Sequence, residues 1–289
     1  MLMSVLFLGV LLGAAALTID VGAWYRDSRQ AQATADAAAL AGAQALPSDP
    51  SQAQLLAQQY GSLNGGGVTD VTFQSDYEAD DTVTVDVSKN SPAYFAGVFG
   101  IGSATVGATA SARAGVPAEV SGVAPIVVNK LHPMLSGPGC PCFNVPTTLP
   151  LGKTGAPGAF GFVLLDPNAN NGVPTLASWI QYGYSGYLPL GLYDSDPGAK
   201  FNAGPVKSAL SSRMGTDLLF PVYDTLSGGG ANAQYNIIGW ASFHLTSFNA
   251  QGTTGSISGW FSNVIWDGIQ AQTNQNLPDF GVHTVELVH

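Results

Sequence analysis

The chain has 289 residues, a net charge of −10 and only 10% charged residues, against a usual share of about 25%. An acidic, weakly charged surface excludes nucleic acid and anionic lipid headgroups as electrostatic partners. Positive mean hydropathy with thirteen phenylalanines, ten tyrosines and five tryptophans excludes a disordered chain, and two cysteines do not make a disulfide framework.

The first predicted element dominates the chain. Met1 to Ile19 carries no charge, and as a helix it would span roughly 28 Å, near the hydrocarbon thickness of a bilayer. Asp20 ends this run, Trp24 and Tyr25 follow as an interfacial aromatic pair, and Arg26 and Arg29 lie just beyond. No proline occurs before Pro47, and alanine dominates after Arg29. One helix over 1–46 is predicted, with an apolar membrane or assembly segment at 1–25 and an alanine-rich stalk. Gly9 and Gly13 form a GxxxG spacing extended by Ala14, Ala15 and Ala16, a surface suited to close helix packing. Within the stalk, Asp36 reads either as a register-setting polar contact or as part of a solvated face.

A small α+β unit is predicted over 47–115. Pro47, Asp49 and Pro50 break the helix, Ser51 offers an N-cap for the next one, and Gly65, Gly66 and Gly67 end it. Val68 to Phe73 and Thr82 to Val87 alternate as a hairpin around the acids Asp76, Glu78, Asp80 and Asp81. Ser91-Pro92 predicts a short helix through AYFAGVFG, with Pro92 at its first position, and Ala104 to Ala114 predicts another strand.

From residue 116 to 289 the composition shifts to glycine-punctuated β segments, with short helices at ASWIQYGY and VKSALSSRM. The fold class is therefore α+β: a long N-terminal hydrophobic helix, a small α+β head and a larger, mainly antiparallel β domain. The aromatic side chains of this domain read mostly as core. Tyr182, Tyr184, Tyr187 and Tyr193, in or beside a glycine-rich loop, are the predicted contact surface.

No catalytic constellation is found. His132, His244, His283 and His289 share no metal-ligand spacing, no GxSxG, P-loop or dinucleotide fingerprint occurs, and no paired catalytic carboxylates can be placed. No cofactor or metal is expected, and the chain is not expected to be an enzyme. Asp166 to Gly172 and Asp194 to Gly198 read as turns. Cys140 and Cys142 read as a disulfide, within the pair or between subunits, ahead of half of a soft-metal site or inert thiols.

The string IDVGAWYRDSRQAQATADAAALAGAQAL resembles the N-terminal signature of TadE/TadG-like proteins of the Flp/Tad branch of type IV pili. Asp20, Gly22, Tyr25, Arg29, Gln32 and the block ADAAALAGA, Ala35 to Ala43, carry the resemblance. A looser similarity to the C-terminal region of TadG-like proteins runs through FGFVLL, LLFPVYD, YNIIGWASF and ISGWF. The resemblance implies a structural, pilin-related subunit in the cell envelope or in a surface filament. It would be held in the membrane before assembly, then associate with itself or other pilin-like subunits through Gly9, Gly13, Asp20, Gly22, Tyr25, Arg29, Gln32, Asp36, Ala38 and Gly42. The alternative is a membrane-anchored adhesion or binding module with an unknown surface ligand. The basic residues that follow the apolar run conflict with an exported domain under the positive-inside rule; a basic leader removed ahead of Met1 would resolve this.

Overall fold

In a computed structural model, described over residues 2–152, 160–170, 172–196, 200–228, 232–251, 254–271 and 277–288, α1 (Leu2–Ala43) is followed by α2 (Pro50–Leu63), β1 (Val68–Gln74), β2 (Thr82–Pro92) and β3 (Ser103–Gly115). Next come β4 (Pro117–Val120), β5 (Ile126–Asn129), α3 (Pro133–Ser136), β6 (Thr147–Pro150), β7 (Phe160–Phe162), α4 (Val173–Tyr182), β8 (Leu188–Pro189) and β9 (Gly191–Asp194). The chain continues with α5 (Gly204–Ser212), β10 (Thr216–Ser227), β11 (Gln234–Gln251), β12 (Thr254–Ser262), β13 (Val264–Ile265), β14 (Gly268–Gln270) and β15 (Val282–Val288). Asn171, His289 and part of Asp194 to Gly198 lie outside the described residues. Two units result: Met1–Ala114 with Val285–His289, and Gly115–Thr284.

In the first unit, α1 is continuous because nothing before Pro47 interrupts its backbone hydrogen bonds. The cap of α2 differs from the sequence expectation. Asp49, not Ser51, accepts the Gln52 N–H at 2.9 Å. Pro50 is the reason: it lacks an N–H and has a fixed φ, so it fits the first helical position and leaves the cap to the residue before it. Gly65, Gly66 and Gly67 follow with φ of +119°, +72° and +88°, a run in left-handed space that side chains resist.

β1, β2 and β3 form an antiparallel sheet, with Val71 opposite Val85 and Val85 opposite Ala110, and β15 is the next neighbour of β3. Alternation sends Val83, Val85, Val87, Ala110, Ala112 and Ala114 to the buried face. On the opposite face Thr84 meets Ser111 and Thr109 donates to Asp86. Val285 and Leu287 of β15 pack onto the buried cluster.

The acidic hairpin turn is organised by Asp81, which accepts the N–H groups of Asp76, Tyr77 and Glu78 at 2.9, 2.9 and 3.1 Å. Burial pushes its carboxyl up, but these donors and the Thr82 hydroxyl outweigh that and hold it below the ordinary 3.8. The helix predicted from Pro92 is not formed. β2 stays paired with β3 out to Pro92 opposite Ser103, and only a 3-10 turn, Ala96–Phe99, follows, closed by Gly100 at φ +80°.

In the second unit the main sheet runs β6-β12-β11-β10-β5-β7, with β9 also on β11. β10, β11 and β12 pair antiparallel, while β5 lies parallel to β10. Leu176, Ile180, Val206 and Leu210 from α4 and α5 cover Phe220, Phe243 and Phe261 of the sheet. A second cluster joins Val120, Val123, Leu188, Leu219, Tyr235 and Trp240. β14-β4-β8 form a smaller sheet. The chain is mixed α+β, with a large, mostly antiparallel β-rich region after the long helix.

Candidate functional site

The two halves of α1 present different surfaces. Along the first half Met3, Phe7, Val10, Leu11, Leu17 and Ile19 are exposed, Met3 at 82% and Val10 at 70%. A Cβ placed on Gly9, Gly13 or Gly22 would meet nothing within 4 Å. These three glycines, with exposed Tyr25 and Arg29, therefore lie on free surface. Counting only described residues, no helix is long and apolar enough to cross a membrane, and the expected membrane anchor at 1–25 finds no support there.

Along the second half the small residues are consumed inside the unit. Ala31, Ala35, Ala38, Ala39 and Ala43 are fully buried, together with Ala53 and Ala57 of α2 and Val83 and Val85 of β2. A Cβ on Gly42 would come within 3.1 Å of the Ala53 carbonyl oxygen, 3.3 Å of the Ala57 Cβ and 3.4 Å of Val83. One on Gly61 would come within 2.3 Å of Val68 Cγ2 and 3.5 Å of the Ala38 Cβ. Ala38 and Gly42, expected on the assembly surface, are covered by their own α2 and β2. The physical reason is that a helix pair this close tolerates only hydrogen or methyl side chains, and α2 brings the matching series Ala53, Ala57 and Gly61 at helical spacing. That series was present in the sequence and is the signal that would have paired the two helices.

Between the halves, polar side chains at seven-residue steps fasten α1 to the unit. Seven residues are close to two helical turns, so Asp20, Asp27 and Thr34 share one face. Asp20 is buried, and its carboxylate accepts the N–H groups of Tyr94 at 2.7 Å, Phe95 at 3.0 Å and Ala96 at 2.5 Å. Asp27 accepts the Ser91 hydroxyl at 2.6 Å. That bond and neighbouring Arg26 hold its carboxyl below the usual carboxylate range against the effect of burial. Thr34 and Gln30 both donate to the Asn64 carbonyl, at 2.6 and 2.8 Å. Half-buried Asp36 accepts from Gln32 one turn earlier, at 2.7 Å. Of this set sequence reasoning named Asp20, Gln32 and Asp36, and missed Asp27, Thr34 and their partners, because acceptors such as Asn64 are backbone groups without a local signature.

In the second unit, Tyr182 is 74% exposed and Tyr187 49%, while Tyr184 and Tyr193 are half-buried. The Tyr187 hydroxyl donates to Asp267, which raises its pKa, and the Tyr193 hydroxyl donates to the Pro189 carbonyl. Burial, with Tyr184 and Glu119 nearby, pushes Tyr193 up to about 12. Tyr184 stacks edge-on against Trp179. Cys140 and Cys142 are bonded to each other. His244 is partly covered, stacked on Trp260 and 3.1 Å from Asp217.

Residues 1–45 match the Tad family, described as "Putative Flp pilus-assembly TadE/G-like". The matched stretch coincides with α1 and contains the Asp20 latch and the alanine face. No curated protein and no solved structure matches the chain. The N-terminal segment is thus TadE/TadG-like, which supports a pilus-related role, pilus components as partners and a place in the cell envelope or at its surface.

Proposed function

We propose that this chain is a non-enzymatic, structural subunit of a Tad/Flp-type pilus or surface filament, assembling through the N-terminal half of α1. One observation carries the reading. Within the segment that matches the pilus-assembly family, Met3, Phe7, Val10, Leu11, Leu17, Ile19 and the glycines Gly9 and Gly13 are uncovered, while the alanine face beyond residue 30 is satisfied internally. A large uncovered apolar surface implies an apolar surrounding. In this reading the helix lies in the membrane before assembly and among other helices afterwards. Gly9 and Gly13 let neighbouring backbones approach, and Asp20 holds the folded unit at a fixed height on the helix.

The test is recovery of the chain in sheared surface filaments. Wild-type protein should be found there, and Gly13→Leu should be missing while its folded unit is unchanged. Unaltered incorporation of Gly13→Leu would favour the second reading, a membrane-tethered module that does not polymerise. The exposed tyrosines Tyr182 and Tyr187 support that alternative, since such side chains suit contact surfaces.

A further inference from the structure

Among the described residues of the first unit, the turn between β2 and β3 is an exposed apolar loop fastened directly to α1. Residues 93–102, AYFAGVFGIG, contain no charge. Tyr94 is 63% exposed, Phe95 44%, Val98 87% and Ile101 48%. Three successive amides of this loop are held by the Asp20 carboxylate, and residue 20 is where the uncharged run ends. A layer that covers the run up to Ile19 therefore meets the loop. We propose that residues 93–102 form a second membrane contact: a lipid-interface collar that dips into the bilayer surface beside the emerging helix, with Asp20 as its positioning residue. This rests on the reading that the first half of α1 lies in a membrane before assembly.

The chemistry of the loop selects the occupant. Exposed Tyr and Phe beside aliphatic Val and Ile suit the headgroup–acyl boundary, where rings have one apolar and one wet side. With a chain charge of −10, insertion must be apolar rather than electrostatic, so zwitterionic lipid should suffice. The buried Asp20 carboxylate can stay near this boundary because three N–H donors replace its water.

The test uses the full chain in phosphatidylcholine vesicles at low protein density, with an environment-sensitive fluorophore on Val98→Cys or, separately, Val10→Cys. Both positions are exposed, so labelling should leave the fold intact. The expected result is a blue-shifted emission at both positions, most of it lost when the phosphatidylcholine carries brominated acyl chains. Shallow bromines should quench position 98 more than deep ones. If position 10 is quenched and position 98 stays in water, the collar is overturned and the membrane reading of the helix stands. If neither is quenched, both fall. If position 98 is blue-shifted, indifferent to brominated lipid and reverts on dilution with lipid, a second copy covers the loop and the lipid assignment is overturned.

Discussion

The two halves of α1 are continuous and free of proline, yet they are used in opposite ways. Beyond residue 30 the face turned to α2 and β2 is built mainly of methyl groups and hydrogen, and close approach buries Ala31, Ala35, Ala38, Ala39 and Ala43 fully. Before residue 20 the side chains are mostly large, and the described ones are predominantly exposed. Small residues gain little from burial one by one, so they serve where backbones must come close. Large residues carry roughly 1.5–3 kcal/mol each when buried, which favours an apolar surrounding outside the unit. Charge separates the halves in the sequence, and side-chain size separates how each one packs.

Substitutions put this contrast to the test. The largest effect is expected from Ala38→Glu, which forces a carboxylate into a fully buried methyl site. The first unit should lose more than about 4 kcal/mol, read as loss of its cooperative unfolding transition. Retained cooperativity would mean that α1 separates readily from α2. Gly61→Ala should destabilise the same unit by about 1–3 kcal/mol, because its methyl meets β-branched Val68; equilibrium denaturation of the full chain checks this.

Asp20→Ala acts locally. It leaves the amides of Tyr94, Phe95 and Ala96 without their acceptor, and their hydrogen exchange should accelerate by at least about tenfold. Amides of β2 at Val83 and Val85 should be unaffected.

Acid should distinguish the halves as well, since no titratable side chain precedes Asp20. Asp81 has a folded pKa below its unfolded value of 3.8. Its contribution is therefore fully present above the unfolded value and is lost as pH falls through the folded one. The β1–β2 hairpin should loosen below about pH 4, and Asp81→Asn should flatten that part of the pH profile measured by NMR. The smallest effect is expected from Gly13→Leu. It meets no neighbour within the chain, so stability should change by less than about 0.5 kcal/mol while filament incorporation is lost.

Much of the first unit was legible. The helix, the hairpin and the third strand follow from alanine content, alternation and glycine punctuation, and lie close to their predicted bounds. Pro92 misled because a proline suits both a helix start and a strand end, and the choice fell to the pairing of β2 with β3. The return of β15 to the side of β3 has no local signal, because adding a strand to a sheet edge depends on backbone groups that every residue carries.

A long leading helix, nineteen uncharged residues at its start and a second half made for close packing can all be read along the chain. Periodicity and residue size are local properties, so a linear reading recovers them. What that close packing is against depends on the folded chain. It placed α2 and the sheet on the alanine face, leaving Gly9 and Gly13 as the free small-residue surface. It also joined Asp20 to amides more than seventy residues away, bonds that depend on where the backbone passes and not on which side chains it carries.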